Sequence, residues 1–580
     1  MRERRKRLEE RRAIVFTNGR VLTLDGTTEA VEALVVHGGL VVGSGTTSDM
    51  LHLAGADAKR IDLLGATLMP GLIDTHPHLL HFFGRTNSFV DLSDVTSHFD
   101  IISRIRARAN KTPPGRWILC TPVGEPYYFI RRSYRDLAEK ELPKRDVLDR
   151  ATADHPVIIQ AYTPVTPNVC ALNSLGLERL NITRESPDRI GNVWIEKDAT
   201  GRPTGILRGS VTTLYNNDPI AKALVSQLPQ PTRNDFLEGT RRGMPAYNAL
   251  GVTTVYEAHN ISPEQIGVYR QLRNQGDLSV RVLLAPEAEI YIYPWNTPLS
   301  MDELNANLEQ ALAMVDLSDE MLRVNGVTIT CSGPAWPGMM IWHEPYKGPY
   351  GEPTTGVWVI SQEKVSVIMK FCAERGLRFN VCAVGLAEHD FYLKILEELA
   401  AHHDIRSRHW IIQHNFFLGS EHARRYAALG FVATTSISFS WGKGDMFIER
   451  IGEHALKDLI PLKRYLDAGI PVACGSDWGP KNIFEQMELA VSHRFCGSGR
   501  TNRGPAQGVT REEALMMWTR DAAKVLGWER IGTLSQGNHA DLIVIDRDPL
   551  NCDLDVLPRT RIVLTMLGGK IVYDTGELNS

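Results

Sequence analysis

Residues 70–80 read PGLIDTHPHLL. A short apolar run turns into two histidines one residue apart, then back into leucine. In an extended chain alternate side chains point to the same side, so His76 and His78 can present two imidazoles to one point. That is metal-ligand geometry, with neutral ring nitrogens suited to zinc or a similar divalent ion. Whether this run belongs to a repeating design decides the fold.

Further runs of the same kind follow: GVTTVYEA, SVRVLLAPEA, LRVNGVTITCSG, LRFNVCAVG, RHWIIQHN, GFVATTS and IPVACGSD. Between them lie amphipathic stretches closed by glycine, such as EKVSVIMKFCAERG and SEHARRYAALG. Near-continuously apolar strands alternating with helices predict a parallel sheet. Counted from PGLID there are eight strands, the number that closes an α/β fold of (β/α)8 TIM-barrel type. Too much chain separates the first two strands for one helix, so a large insertion is expected over about residues 88–240. The Pro/Gly-rich segment 331–358 predicts a long loop after the fourth strand, and loops of that length are uncommon unless functional or disordered.

Both ends of the chain differ from this middle. Residues 14–69 alternate short apolar runs with Asn-Gly, Asp-Gly and Gly-Gly, which is hairpin chemistry, and the C-terminal GTLSQGNHADLIVIDRDP and RIVLTMLGGKIVYDTGE resemble them. The two ends are expected to meet in one small sheet domain.

The bulk numbers set bounds. A chain of 580 residues is long for one ordinary core, and 43% hydrophobic with 23% charged residues is a globular profile. A formal net charge of −4 supplies no basic field, so nucleic acid is not expected as a partner. Eight cysteines without a CxxC pair predict reduced thiols and a cytoplasmic protein. The first twelve residues, MRERRKRLEERR, hold seven basic and three acidic side chains and read as a solvated basic tail, with no apolar stretch behind them as a secretory signal needs. No run reaches the roughly 18 apolar residues a membrane helix requires, so no membrane partner is expected.

In such barrels the chemistry sits where strands end. Strand one ends in His76 and His78, strand two in Glu257 and His259, strand three in Glu287 and strand four in Thr328. Cys382, His414, Thr435 and Asp477 follow on strands five to eight. Each has a bland reading: a lone strand-end histidine is commonly a hydrogen-bonded structural residue, Cys382 a small buried filler, and Gly-Ser-Asp a helix cap. Four ligand-type groups at the ends of strands one, six and eight together point to a metal site. The roles of Glu257 and His259 stay open.

PGLIDTHPH, GVTTVYEA, IIQHN, ACGSDWGP and the stretch EEALMMWTRDAAKVLGWERIGTLSQGNHADLIVIDRDPL resemble the amidohydrolase superfamily, specifically its amidohydrolase-3 branch of YtcJ-like and N-substituted formamide deformylase-like proteins. The resemblance runs from about residue 14 to 574. It implies a barrel over 70–527 beside a composite β-sandwich from 13–69 and 528–580. Residue by residue, His76 and His78 match the first-strand metal ligands, Asp477 the eighth-strand aspartate that binds metal and shuttles a proton, and His414 the sixth-strand ligand or substrate-polarising histidine. The chain also departs from the family. VTITCSG puts Thr328 and Ser332 where a bridging lysine is usual, CAVGL puts Cys382 and Leu386 where HA.GD is usual, and Gln413 stands where glutamate is frequent. Three readings follow: one metal on His76, His78 and Asp477 with or without His414; a two-metal site with Cys382 as thiolate ligand; or a barrel that only binds.

The function implied is a metal-dependent hydrolase in which a metal-bound hydroxide cleaves the C–N bond of an amide, formamide or cyclic amide. One zinc is the expected cofactor, with manganese or iron as alternatives. A single-metal C–C lyase or decarboxylase, or a non-catalytic barrel, is the rival reading. Loop aromatics after the strands, Trp336, Trp342, Phe416, Phe417, Phe439, Trp441 and Trp478, suit a small apolar or aromatic substrate if they face the mouth. His343, Lys347 and Arg208 are candidates to read a carboxylate. A homodimer is left open.

Overall fold

The computed structural model describes residues 12–26, 29–124, 131–291 and 296–578, so the basic tail expected over residues 1–12 lies, but for Arg12, outside the described residues. Among these, two all-parallel sheets carry the strand-end residues. One orders Leu322–Val324, Arg281–Leu284, Val252–Glu257 and Leu72–Asp74. The other orders Val327–Thr330, Phe379–Ala383, Ile411–His414, Val432–Thr435 and Val472–Cys474. Every residue of Val252–Glu257 and Arg281–Leu284 is buried, as befits strands covered on both faces. The intervening helices stop and start where local chemistry directs. Ser262 accepts the Gln265 N–H to open Pro263–Gln275, and Gly276 and Gly376 take left-handed conformations at two C-termini.

Two expected strands are split. LRVNGVTITCSG, read as one strand, breaks at Gly326, whose φ is +102° and whose α-carbon lies so close to the next strand that a Cβ would sit 2.4 Å from the Arg378 carbonyl oxygen. Leu322–Val324 therefore pairs with one sheet and Val327–Thr330 with the other. PGLID divides at Gly71, where a Cβ would lie 2.3 Å from Thr253 Oγ1. Before it, Thr67–Pro70 runs antiparallel to Leu542–Ile545; after it, Leu72–Asp74 runs parallel to Val252–Glu257. Backbone bonds bridge both seams between the parallel sheets. Thr328 N–H donates to Pro286 O and Ala288 N–H to Thr328 O, each at 2.9 Å, while Asp477 N–H donates to His76 O at 2.8 Å.

Strands from both ends of the chain share one six-stranded sheet, ordered Lys570–Asp574, Ile562–Leu567, Leu542–Ile545, Thr67–Pro70, Arg20–Leu22 and Ala30–Val31. Phe16, Leu34 and Ile61 of a neighbouring four-stranded sheet pack against its Val21, Leu68, Val544 and Leu564. A buried ion pair, Arg281 Nε to Asp541 Oδ2 at 2.6 Å, ties this region to the parallel strands. Between Leu72–Asp74 and Val252–Glu257 the long connection forms a six-stranded mixed sheet from Ile118–Cys120 to Pro203–Gly209, with apolar cores of its own.

Candidate metal centre

The residues after three strands converge in left-handed backbone. His78 has φ +51°, His414 +67°, Asp477 +57° and Trp478 +43°. Such angles cost non-glycine residues about 1 kcal/mol or more each and gather at functional sites. Asp74 holds the first and last of these turns together. It accepts the His76 N–H at 3.1 Å, the Ser476 N–H at 2.9 Å and the Ser476 hydroxyl at 2.5 Å.

His76, His414 and Asp477 each offer a ligand atom within 4.8 Å of the other two. His78 Nε2 approaches Asp477 Oδ1 at 3.2 Å, and His76 Nε2 approaches it at 3.9 Å. Apart from these approaches, both His76 Nε2 and Asp477 Oδ1 are buried without a hydrogen-bond partner. Native interiors rarely leave such atoms unsatisfied, and a cation would satisfy both. The donor types, imidazole nitrogen and carboxylate oxygen, fit a divalent transition metal.

Electrostatics favour the same use. Burial drives His76 and His259 far below the ordinary histidine range, reinforced by neighbouring imidazoles. Burial likewise takes His414 down to about 4, against the pull of Asp477. These rings are neutral near pH 7, the form that ligates metal. Burial pushes the Asp477 carboxyl up, but His78, His414 and Lys481 outweigh it and hold the group below its usual value. Gln413 lies behind His76, its amide 2.5 Å from Nδ1. Amide oxygen and nitrogen interchange at small steric cost. With the Gln413 oxygen toward His76, the ring proton sits on Nδ1 and Nε2 keeps its lone pair. Inverting Asn380 as well gives its otherwise unpartnered, buried Oδ1 the Gln413 amide as donor.

A fourth imidazole stands in the same group. The His259 ring lies 5.6 Å from that of His76, 5.2 Å from His78 and 5.7 Å from His414. Its presence at strand two was visible in the sequence, but nothing there marked which way it pointed. Cys382 lines the cavity too; its sulfur lies 3.1 Å from the Gln413 side-chain amide, and burial raises its pKa well above the usual thiol range.

The cavity above this group has His78, His259, His414 and Asp477 in its floor, with Trp336, Phe416, Phe439 and Trp478 among its walls. Four of the seven expected aromatics thus face it. Trp342 instead packs edge-on against Phe417 at 4.9 Å, and Trp441 lies under the Arg131 guanidinium at 5.2 Å; neither these two nor Phe417 lines the cavity. His343 is half exposed and paired with Asp390 at 2.6 Å, Lys347 pairs with Glu449 at 2.7 Å, and Arg208 with Glu196 at 3.1 Å. None of these three candidates for reading a carboxylate lines the cavity, and each is paired with an acidic side chain of its own. Leu214 and Tyr215, from the insertion, complete the wall. No motif announces them, because an insertion's position over the strand ends is a tertiary matter.

Among the described residues no helix is long and apolar enough to cross a membrane. Residues 59–573 match the model of the amidohydrolase family. N-substituted formamide deformylase of Arthrobacter pascens is 24% identical over 98% of this chain and 99% of its own length. Putative amidohydrolase YtcJ of Bacillus subtilis is 25% identical over 97% and 99%. The crystal structure of an uncharacterized metal-dependent hydrolase from Pyrococcus furiosus superposes with a TM-score of 0.68 at 23% identity, covering 93% of this chain and all of that one, and shows a shared fold. With a family match across most of its length, this chain belongs to the amidohydrolase family and is a hydrolase of carbon–nitrogen bonds.

Proposed function

We propose that the two parallel sheets close as one (β/α)8 barrel beside a composite β-sandwich from both termini, and that the barrel hydrolyses a small, uncharged amide or formamide with an apolar substituent. His76, His78, His414 and Asp477 would hold one divalent ion, zinc by donor type. The carrying observation is the pair of buried, unsatisfied atoms His76 Nε2 and Asp477 Oδ1 at the centre of the imidazole group. When bound, the ion supplies Lewis acidity to an oxygen of water or substrate.

The chain's own groups do the rest. Asp477 takes the proton of the attacking water on its carboxylate and returns it to the departing nitrogen. Its backbone is pinned by the His76 carbonyl, and the Lys481 ammonium donates to its carbonyl oxygen, so the carboxylate is aimed without rearrangement. Trp336, Phe416, Phe439 and Trp478 exclude water and pack the substituent. No lysine or arginine lines the cavity among the described residues, which favours an uncharged substrate. The N-substituted formamide deformylase relative supports a small acyl group on nitrogen. The absence of disulfides among the described residues accords with a cytoplasmic setting.

The test is elemental analysis of the purified protein, combined with amine release from a panel of aryl and alkyl formamides and amides. One equivalent of metal and amine release are expected. Metal-free protein as isolated, or carbon dioxide in place of amine, would overturn the reading.

A further inference from the structure

Cys382 occupies the fifth-strand position at which the family's metal ligand is expected, yet His259 is better placed to serve the ion. Two imidazoles on one tetrahedral zinc, each nitrogen about 2.0–2.1 Å from the metal, put their ring centres about 5 Å apart. His259 stands 5.2–5.7 Å from three other imidazoles, and those of His78 and His414 stand 4.6 and 4.5 Å from His76. The spacing is that of rings sharing one centre.

The two edges of His259 face different surroundings. Nδ1 lies 2.9 Å from Thr330 Oγ1 and 3.6 Å from Glu287 Oε2. A hydroxyl and a carboxylate behind one nitrogen place the ring proton there, and a metal-ligating histidine is oriented in this way by partners on its other nitrogen. Glu287 is itself set by the Asn260 N–H at 2.5 Å, and Thr330 closes a strand whose four residues are all buried. Nε2 is left on the cavity side with its lone pair, and Tyr215 OH lies 3.5 Å away. The Cys382 sulfur is 3.6 Å from Nδ1, so it stands behind His259, with Thr330 and Glu287.

We infer that His259 Nε2 is a ligand of the same ion and that Cys382 is not, with Thr330 and Glu287 orienting the His259 ring; this rests on the metal-dependent reading above. His76, His414 and Asp477 have ligand atoms within 4.8 Å of one another, and His259 would extend that set from the neighbouring strand.

The experiment is chelator competition for zinc, with cobalt(II) absorption spectra, on the full chain and on three variants. His259→Asn should weaken metal binding by more than the about 100-fold seen for loss of an orienting partner, and Thr330→Val by about 10–100-fold. Cys382→Ser should bind as the parent does, and the cobalt form should show no sulfur-to-metal charge-transfer band. Parent-like affinity in folded His259→Asn, or a thiolate band that Cys382→Ser removes, would overturn the inference while leaving a metal hydrolase standing. If His259→Asn fails to fold, the Thr330→Val affinity and the cobalt spectrum decide. A parent protein that takes up no metal overturns both readings.

Discussion

The floor of the cavity and the anchorage of the 331–358 loop treat polar groups in opposite ways. At the floor, His76 Nε2, just behind the lining, and Asp477 Oδ1 are buried with no hydrogen-bond partner beyond the approach of the imidazoles to that carboxylate. Under the loop, buried Glu388 accepts four donors: the Ser332 hydroxyl at 2.6 Å and the N–H groups of Val384 at 2.9 Å, Ile341 at 3.3 Å and Gly385 at 3.3 Å. Partly buried Arg450 donates to the carbonyls of Ala335 and Trp336, each at 2.8 Å, and to that of Thr166 at 3.0 Å. These two charges thus staple the 331–358 loop and the insertion to the helices, while the floor groups keep polar atoms without such partners. A satisfied buried charge reads as architecture and an orphaned one as function.

Mutation should separate the two classes. The largest effect is expected in the floor: Asp477→Asn should lower kcat by about 10²–10⁴-fold, the range for general acid–base groups, with a modest loss of stability, since an amide oxygen still accepts at the 3.2 Å approach of His78 Nε2. Steady-state amine release alongside thermal melting checks this, and a large drop in Tm with activity retained would reverse the contrast. Next, Arg450→Met should destabilise the fold by about 3 kcal/mol by leaving three carbonyls without their donor. Urea unfolding reads that loss, and metal content should be untouched.

Glu388 carries a pH signature. Burial, outweighing its four donors, raises its pKa to about 7. A folded-state pKa above the unfolded value of about 4.5 means the folded chain binds the extra proton between those limits. Its stabilising contribution is therefore complete below about pH 4.5, declines as pH rises toward 7, and is flat above. Glu257 and Glu287 are raised to about 7 as well, and the buried histidines pull the other way. The Glu388 share is therefore read as a difference: between pH 5 and pH 8 the metal-free parent should lose up to about 3 kcal/mol of unfolding stability relative to Glu388→Gln. An identical slope in the variant would assign it elsewhere. The smallest effect is expected at the wall: Phe439→Leu, which ends the ring contact with Phe416 at 4.1 Å, should raise KM for aryl amides about three- to tenfold. Trp342→Leu, off the cavity, should leave KM alone.

Legibility followed the range of the interaction. The period-two spacing of His76 and His78 and the apolar runs with glycine stops are local, so they could be read directly. The splitting of two strands at Gly71 and Gly326 could not, because it depends on how near Thr253 and Arg378 come. Loop aromatics were legible as a set but not as a direction: Trp336 and Phe439 turn inward while Trp342 and Trp441 turn away, and all four sit in similar loop or helix-start contexts. His343, Lys347 and Arg208 each met a carboxylate across the surface that lies far off in the chain or on another strand.

The order of residues alone determined the alternation of strand and helix, the strand-end position of each candidate ligand and the loss of the usual lysine and fifth-strand histidine, since all of these are local pattern. Only the folded chain decided that His259 joins the imidazoles while Cys382 stands behind it, which polar atoms remain unsatisfied, and which aromatics face the cavity. Those are angles and distances between segments hundreds of residues apart, and they arise from packing, which no single stretch encodes.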